Sequence, residues 1–159
     1  MARLPISLAT LAIGLALGTP GARAQGTDAR DLAQKQLDEG ARLFDRRDAK
    51  AMAETYAEDA VLSLLSYDAG SGQYKNEEFR GRQAIEENYK KLFDGLNGNT
   101  TSKNTVETAR LLGSRVLIIT GTFQLDISNG LTVPFSQIRI KVGEKWLKQK
   151  LTVYLVPEG

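Results

Sequence analysis

The chain has 159 residues, with 21 Lys and Arg against 19 Asp and Glu, a formal net charge of +2, and neither Cys nor His. Without Cys there are no disulfides, thiol nucleophiles or thiolate metal sites, and without His there is no Ser-His or Cys-His catalysis. A general base would have to be Asp, Glu, Lys or Tyr. The balanced charge lacks the positive field that drives nucleic-acid binding, so we expect no nucleic-acid partner. We also expect no metal and no cofactor.

Residues 1–24 have the pattern of a secretory signal peptide. Arg3 precedes an uncharged, mostly apolar run over residues 6–17, and the small-x-small sequence Ala22-Arg23-Ala24 follows. That run is shorter than the roughly 20 apolar residues that a membrane span needs. We therefore predict cleavage after Ala24, a periplasmic or secreted location without a membrane anchor, and one domain over residues 25–159. The remaining 135 residues carry no formal net charge, and they suffice for one hydrophobic core.

Hydrophobic periodicity predicts three helices and one short strand in the first half of this domain. Tyr56 falls on the buried stripe of the second helix, and Asp48 is its predicted N-cap. Gly and Ser residues predict a loop between the strand and the third helix. The predicted elements are helices over residues 27–46, 49–59 and 82–95, a strand over residues 60–66, and a loop over residues 67–76.

From Thr100 onward the sequence changes to β-branched residues separated by turn signals, which predicts four long antiparallel strands in a meander. They cover residues 100–112, 115–128, 131–142 and 145–156. Helices followed by a large sheet indicate an α+β fold. A two-residue turn at Asn129-Gly130 would fix the strand register and place Phe123 opposite Ser136.

This register assigns the polar side chains to the two faces of the sheet. The face covered by the helices would be apolar, with no carboxylate and with five polar interruptions at Ser102, Asn104, Thr108, Ser136 and Gln149. The opposite face would carry charged, polar and aromatic side chains, among them Phe135, Gln137, Arg139, Trp146, Lys148 and Tyr154. Because large aromatic residues are enriched at protein interfaces, we predict a homodimer through that outer face.

The order of these elements resembles that of the nuclear transport factor 2-like superfamily. The stretches that carry the resemblance are "LFDRRD", "AMAETYAEDAVL", "RGRQAIEENYKKLF" and "WLKQKLTVYLVP". That superfamily includes ketosteroid isomerase, SnoaL-like polyketide cyclases and many exported members of unassigned function. The resemblance implies a cone-shaped fold, in which N-terminal helices pack on a curved antiparallel sheet and leave a largely apolar pocket.

The resemblance also tests for isomerase chemistry. Ketosteroid isomerase uses an Asp base and an oxyanion hole made of a Tyr and a protonated Asp. Matched to that pattern, the three positions fall at Leu64, Gly40 and Ser136 in this chain. Loss of one oxyanion donor alone costs about 2.7 to 4 kcal/mol of transition-state stabilisation. We therefore expect no isomerase activity of that type.

Our interpretation is an exported protein that binds a small apolar or neutral organic ligand without catalysis. The side chains expected to contact the ligand are Tyr56, Tyr67, Asn104, Phe123, Ser136 and Gln149. These polar groups could equally satisfy buried backbone groups. One alternative is a SnoaL-like isomerase, cyclase or hydrolase with an unidentified carboxylate, for which Asp68 is the best candidate. Another is an association module that acts through its outer sheet face.

Overall fold

The computed structural model describes residues 21–98, 100–126 and 130–155, and the side chains from residue 28 onward. Most of the predicted signal peptide, residues 1–20, lies outside this part. These residues form three helices and six strands in the order α1, α2, β1, β2, α3, β3, β4, β5, β6. The helices are α1 Gly21–Asp45, α2 Ala49–Glu54 and α3 Gly81–Gly95. The strands are β1 Tyr56–Asp68, β2 Gln73–Arg80, β3 Ser102–Leu112, β4 Val116–Leu125, β5 Leu131–Val142 and β6 Lys145–Leu155.

The six strands form one sheet in the order β2-β1-β6-β5-β4-β3. Strands β3 to β6 are the predicted antiparallel meander. Strand β1 pairs with β6 in parallel, so the sheet is mixed and not purely antiparallel. The helices pack on its inner face, which confirms the predicted α+β fold. Within the described residues, no helix has the length and apolar character needed to cross a membrane.

Three predicted boundaries were wrong. Helix α1 begins at Gly21, so Thr27 and Asp28 lie inside it; the residues before them are mostly Ala, Arg and Gln, which favour helix. Helix α2 ends at Glu54, and Tyr56 is the first residue of β1. The predicted loop over residues 67–76 is largely a β1–β2 hairpin. Strand β2 is an exposed edge strand, so its sequence lacks the alternation that would reveal it.

The register between β4 and β5 differs from the predicted one. Leu125 pairs with Leu131, so five residues connect the strands and Phe123 faces Val133 instead of Ser136. The shift is three residues, and an odd shift exchanges the two faces of a strand. In β5 the residues that point towards the helices are therefore Val133, Phe135, Gln137 and Arg139.

Strands β6 and β3 each contain a β-bulge. In β6 Gln149 has no partner on β5, because Ile138 pairs with Lys150 and Arg139 with Lys148. On the turn side of this β-bulge Arg139 pairs with Lys148, and both side chains lie on the inner face. A second bulge at Glu107 interrupts β3 between Val106 and Thr108, opposite β4.

The core lies between the helices and the inner face of the sheet. Helix α1 contributes a stripe of small and large apolar residues at helical spacing, and α3 contributes a second stripe. The largest fully buried side chains are Tyr56, Leu37, Ile85, Leu117, Ile119 and Val106. Between α1, α3 and the inner face of the sheet, the side chains enclose a hollow.

Candidate ligand-binding cavity

A cavity of about 320 Å³ lies between α1, α3 and the inner face of the sheet. This volume is within the range of roughly 300–1,000 Å³ that is usual for small-molecule sites. Phe44 of α1 forms edge-to-face contacts with Phe123 and Phe93, with ring centroids 5.0 and 5.1 Å apart. Aliphatic side chains form the rest of the wall, chiefly Leu62, Leu64, Leu125, Val133, Leu151 and Val153. The wall is therefore almost entirely apolar.

Three leucines mark the opening of the cavity. Leu92, Leu131 and Leu155 line it and are 42%, 40% and 41% exposed, respectively. Leu92 lies on α3, next to the buried Phe93. An apolar molecule therefore has a path from solvent along apolar side chains.

The two basic side chains that line the cavity lie at the opposite end, on β5 and β6. Arg139 and Lys148 are direct cross-strand neighbours there and are only 2% and 3% exposed. Both line the cavity, and Gln137 lies beside them on the same face of β5. We call Arg139 and Lys148 the cationic floor. Burial of charged side chains is rare, because desolvation disfavours the charged form.

Arg139 is held by neutral acceptors. Its Nε donates to Oε1 of Gln137 at 3.0 Å, and its Nη1 donates to Oε1 of Gln36 at 3.1 Å and to the carbonyl oxygen of Trp146 at 3.4 Å. No acceptor for Nη2 is found among the described residues. Burial lowers the pKa of Arg139 to about 10, and the guanidinium stays charged at neutral pH.

Lys148 has one hydroxyl acceptor and one aromatic face. Its Nζ donates to Oγ1 of Thr55 at 2.8 Å and lies 4.4 Å from the centroid of the Tyr56 ring. That distance is typical of a cation–π contact. Burial, and then the neighbouring Arg139, hold the pKa of Lys148 well below its usual 10.5.

Two buried tyrosines share a hydrogen bond beside the floor. The hydroxyl oxygens of Tyr56 and Tyr89 are 2.9 Å apart. Burial raises the pKa of Tyr89 to about 12 and the pKa of Tyr56 well above 10.0. Both hydroxyls therefore stay protonated at neutral pH, and neither is poised to act as a base.

Carboxylates are missing from this part of the molecule as far as the structure describes it. No Asp or Glu of residues 21–98, 100–126 and 130–155 lines the cavity. Over the same ranges, neither Arg139 nor Lys148 forms an ion pair; the ion pairs found there involve surface side chains. The described residues also contain no group of three or more acidic side chains that could hold a metal ion.

The structure brings two of the six expected contact residues together at the cavity. Asn104 and Phe123 both line the wall, and Nδ2 of Asn104 donates to the carbonyl oxygen of Leu37 at 3.2 Å. Tyr56 is completely buried behind the wall, where it contacts Tyr89 and Lys148. Its expected contact would therefore be indirect.

The other three expected residues lie away from the cavity. The hydroxyl of Ser136 is 3.0 Å from that of Tyr154 on the outer face, and Nε2 of Gln149 donates to Oδ1 of Asp59 at 3.1 Å. The three-residue register difference and the bulge explain these two misplacements. Tyr67 packs on Tyr74 in the β1–β2 hairpin, with ring centroids 5.2 Å apart.

The positions singled out for catalysis also have clear locations. Leu64 and Gly40, the positions matched to the isomerase base and tyrosine, do line the cavity. Asp68 does not: its Oδ2 accepts from Nζ of Lys75 at 2.5 Å on the exposed hairpin, and this contact lowers its pKa. Asp68 thus lies outside the cavity, and its pKa is lowered, whereas a general base at neutral pH would need a raised pKa.

Sequence reasoning missed Gln137, Arg139 and Lys148, because it assigned them to the outer face. One signal for the observed face was available in "TVPFSQIRIKV". The alternation of Val133 and Phe135 indicates that the odd-numbered residues face the core, whereas Ile138 and Ile140 indicate the even-numbered ones. The two halves of β5 thus give opposite predictions of which residues face the core.

Comparisons with known proteins extend this description. No family model matches the chain, and no curated protein sequence matches it. Its structure is similar to an NTF-2 like protein of unknown function from Shewanella oneidensis MR-1, with 18% identity, a TM-score of 0.61, and coverage of 78% of this chain and 97% of that one. It is also similar to an NTF2-like protein of unknown function from Pseudomonas putida KT2440, with 11% identity, a TM-score of 0.64, and coverage of 82% and 88%.

A third similar structure is a putative calcium/calmodulin dependent protein kinase II association domain from Xanthomonas campestris. It shares 20% identity with this chain at a TM-score of 0.57, over 82% of this chain and 89% of that one. At these identities the similarity establishes the fold alone. The chain has the nuclear transport factor 2-like fold, as the resemblance in the sequence implied.

Proposed function

We propose that this protein, which has the nuclear transport factor 2-like fold, binds a small, mainly apolar organic molecule in its cavity and does not transform it. The observation that carries the proposal is the open cavity of about 320 Å³ with an almost entirely apolar wall. The lack of a carboxylate on the described wall, and the raised pKa values of Tyr56 and Tyr89, support binding over catalysis.

Gly40 offers a direct test of this proposal. Leu37, Gly40 and Phe44 lie on one face of α1, and all three line the cavity. A Cβ added at Gly40 would have no atom within 4 Å, so a larger side chain there would project into the hollow. Gly95 is a matched control, because a Cβ added there also has no atom within 4 Å but Gly95 is not part of the wall.

The experiment is a fluorescence titration with N-phenyl-1-naphthylamine, a neutral apolar dye. We expect the wild type and Gly95→Phe to bind the dye equally, and Gly40→Phe to bind it at least about tenfold more weakly, a loss of about 1.4 kcal/mol. Circular dichroism would verify that both variants are folded. Equal binding by Gly40→Phe and Gly95→Phe, or no binding by the wild type, would contradict the proposal.

We also propose that the protein is exported. The support is the sequence of residues 1–24, with its basic start, apolar run and small-x-small site. Cleavage after Ala24 would leave residues 25–45 of α1 attached to the domain. Expression of the full chain in a Gram-negative host should yield a periplasmic or secreted protein whose first residue is Gln25. A cytoplasmic product that keeps Arg3 would contradict export.

Self-association through the outer sheet face is a second candidate function. It is supported by the similar Xanthomonas structure, which is named as a putative association domain. On this chain Ile118 and Ile138 are paired neighbours on the outer face, and Ile138 is largely exposed. Phe135 and Arg139, which were predicted on this face, point inward instead. The proposed interface therefore centres on the two isoleucines and Tyr154.

A further inference from the structure

We propose that the ligand is a monocarboxylate with an apolar body, and that its carboxylate lies between Arg139 and Lys148 at the cationic floor. Its apolar body would extend along the phenylalanine and leucine wall towards the opening. This inference rests on the proposed binding function and replaces the neutral ligand that the sequence favoured.

The cationic floor has no acidic partner among the described residues. Arg139 and Lys148 are neighbours on adjacent strands, are almost completely buried, and have only neutral partners among the described residues. Burial and the mutual repulsion of two adjacent basic groups disfavour their charged forms in the empty site. An anion between them would offset both effects at once.

Arg139 and Lys148 also have hydrogen-bond donors that lack an acceptor among the described residues. Nη2 of Arg139 has no acceptor within the described chain, and Nζ of Lys148 has one hydroxyl acceptor for its three donor positions. Gln137 accepts from Nε of Arg139 through its Oε1, but it is neutral and supplies no negative charge. A guanidinium next to an ammonium presents a donor array that matches the oxygens of a carboxylate.

The lining of the cavity limits the chemistry of the rest of the ligand. Beyond the floor the wall is apolar, with Phe44, Phe123 and the leucines, so it offers little to a second charged group. The titratable groups that face the floor from other elements are Tyr56 of β1 and Tyr89 of α3, and both remain neutral hydroxyls. The site thus fits one anionic head and one apolar body.

The test compares octanoate with 1-octanol as competitors of N-phenyl-1-naphthylamine, since the two have the same apolar chain and different heads. We expect the wild type to prefer octanoate by at least about tenfold. Lys148→Met and Arg139→Met should each lose most of that preference. Lys150→Met and Arg110→Met are the controls, because both residues are exposed on the outer face. Neither control should change the preference.

Failure of this inference differs from failure of the binding function. Equal affinities for octanoate and octanol, or an unchanged octanoate preference in Lys148→Met and Arg139→Met, would overturn the carboxylate assignment and leave dye binding intact. Absence of dye, octanol and octanoate binding would overturn both proposals.

A measurement on the wild type covers the case in which neither variant folds. An ammonium beside a carboxylate gains protons on binding, because the anion raises a pKa that burial has lowered. Octanoate affinity should therefore fall as the pH rises above neutral, where octanoate itself stays ionised, while octanol affinity stays constant. A flat octanoate profile would overturn the inference.

Discussion

Lys148 belongs to the proposed ligand site, but its burial destabilises the folded protein. Its ammonium is buried, has Thr55 as its one hydrogen-bond acceptor among the described residues, and lies next to Arg139 on the neighbouring strand. A methionine there would keep the length of the side chain without the charge. Removal of a buried, incompletely compensated charge often stabilises a protein.

We predict that Lys148→Met raises the free energy of unfolding by about 1–4 kcal/mol at neutral pH. The pKa of Lys148 is lowered in the folded state, so between that value and 10.5 the unfolded chain binds more protons than the folded one. The wild type therefore gains stability as the pH rises through this window, and the advantage of the variant shrinks. Urea unfolding at several pH values up to about pH 10 measures both effects. A variant that is less stable at every pH would contradict this.

Tyr56 and Tyr89 should respond unequally to loss of a hydroxyl. Tyr89→Phe would leave the hydroxyl of the fully buried Tyr56 without its partner, at a cost of about 1–3 kcal/mol. Tyr56→Phe should cost less, because Tyr89 lines the cavity whereas Tyr56 is completely buried. The double variant should cost less than the sum of the two. Additive losses in chemical denaturation would argue against a coupled pair.

At the scale of the strands, Gly121 shows where backbone spacing dictates the residue. It lies on β4 opposite the bulge of β3, where a Cβ would overlap the carbonyl oxygen of Thr105 and come within 3.1 Å of Cζ of Phe135. A carbonyl oxygen of a paired strand cannot move aside as a flexible side chain can. The close approach of β3 to β4 therefore requires glycine.

We predict that Gly121→Ala lowers the free energy of unfolding by about 1–3 kcal/mol or more. Gly40→Ala is the control: it lies in the interior of α1 with open space around the added Cβ, and it should stabilise the protein by about 0.5–1 kcal/mol. Thermal unfolding followed by circular dichroism compares the two. Equal melting temperatures of Gly121→Ala and the wild type would contradict the requirement for glycine at position 121.

The β1–β2 hairpin gives the prediction that concerns catalysis. Asp68 pairs with Lys75 on an exposed surface, and such pairs contribute little to stability. Asp68→Asn should therefore leave both the melting temperature and the affinity for N-phenyl-1-naphthylamine unchanged. Lys75→Gln serves as a control for the ion pair. A changed dye affinity in Asp68→Asn alone would return Asp68 to consideration as a site residue.

The strands show which parts of the structure could be predicted from sequence. Turn residues and β-branched runs place β3 to β6 within a few residues, and their meander is confirmed. Asn104 of β3 pairs with Phe123 of β4, and both line the cavity. Beyond Leu125 the predicted two-residue turn is a five-residue connection, and the faces of β5 are exchanged.

The cationic floor could not be predicted for a related reason. Polar side chains in an amphipathic strand indicate solvent, and nothing in the local sequence distinguishes Arg139 or Lys148 from surface residues. Their interior position depends on the length of a connection and on a bulge at Gln149. Both are properties of the assembled sheet.

At the scale of the whole molecule, the outer face yields a prediction about assembly. If the protein associates through Ile118 and Ile138, then Ile138→Asp should convert a dimer into a monomer, because an unpaired charge would be buried at the interface. Tyr74→Asp on the exposed hairpin should leave the dimer intact. Light scattering after size exclusion measures both masses. A monomeric wild type at micromolar concentration would contradict the association.

The position of β6 has a consequence for how the chain reaches this state. The last strand in sequence lies between β1 and β5, near the middle of the sheet. Until residues 145–155 pair, β1 with β2 and β3 with β4 and β5 are two fragments with open edges. The contacts between β1 and β6 join residues that are far apart in sequence, and such contacts form slowly. Pairing of β6 with both β1 and β5 is thus the step that joins the two fragments into one sheet.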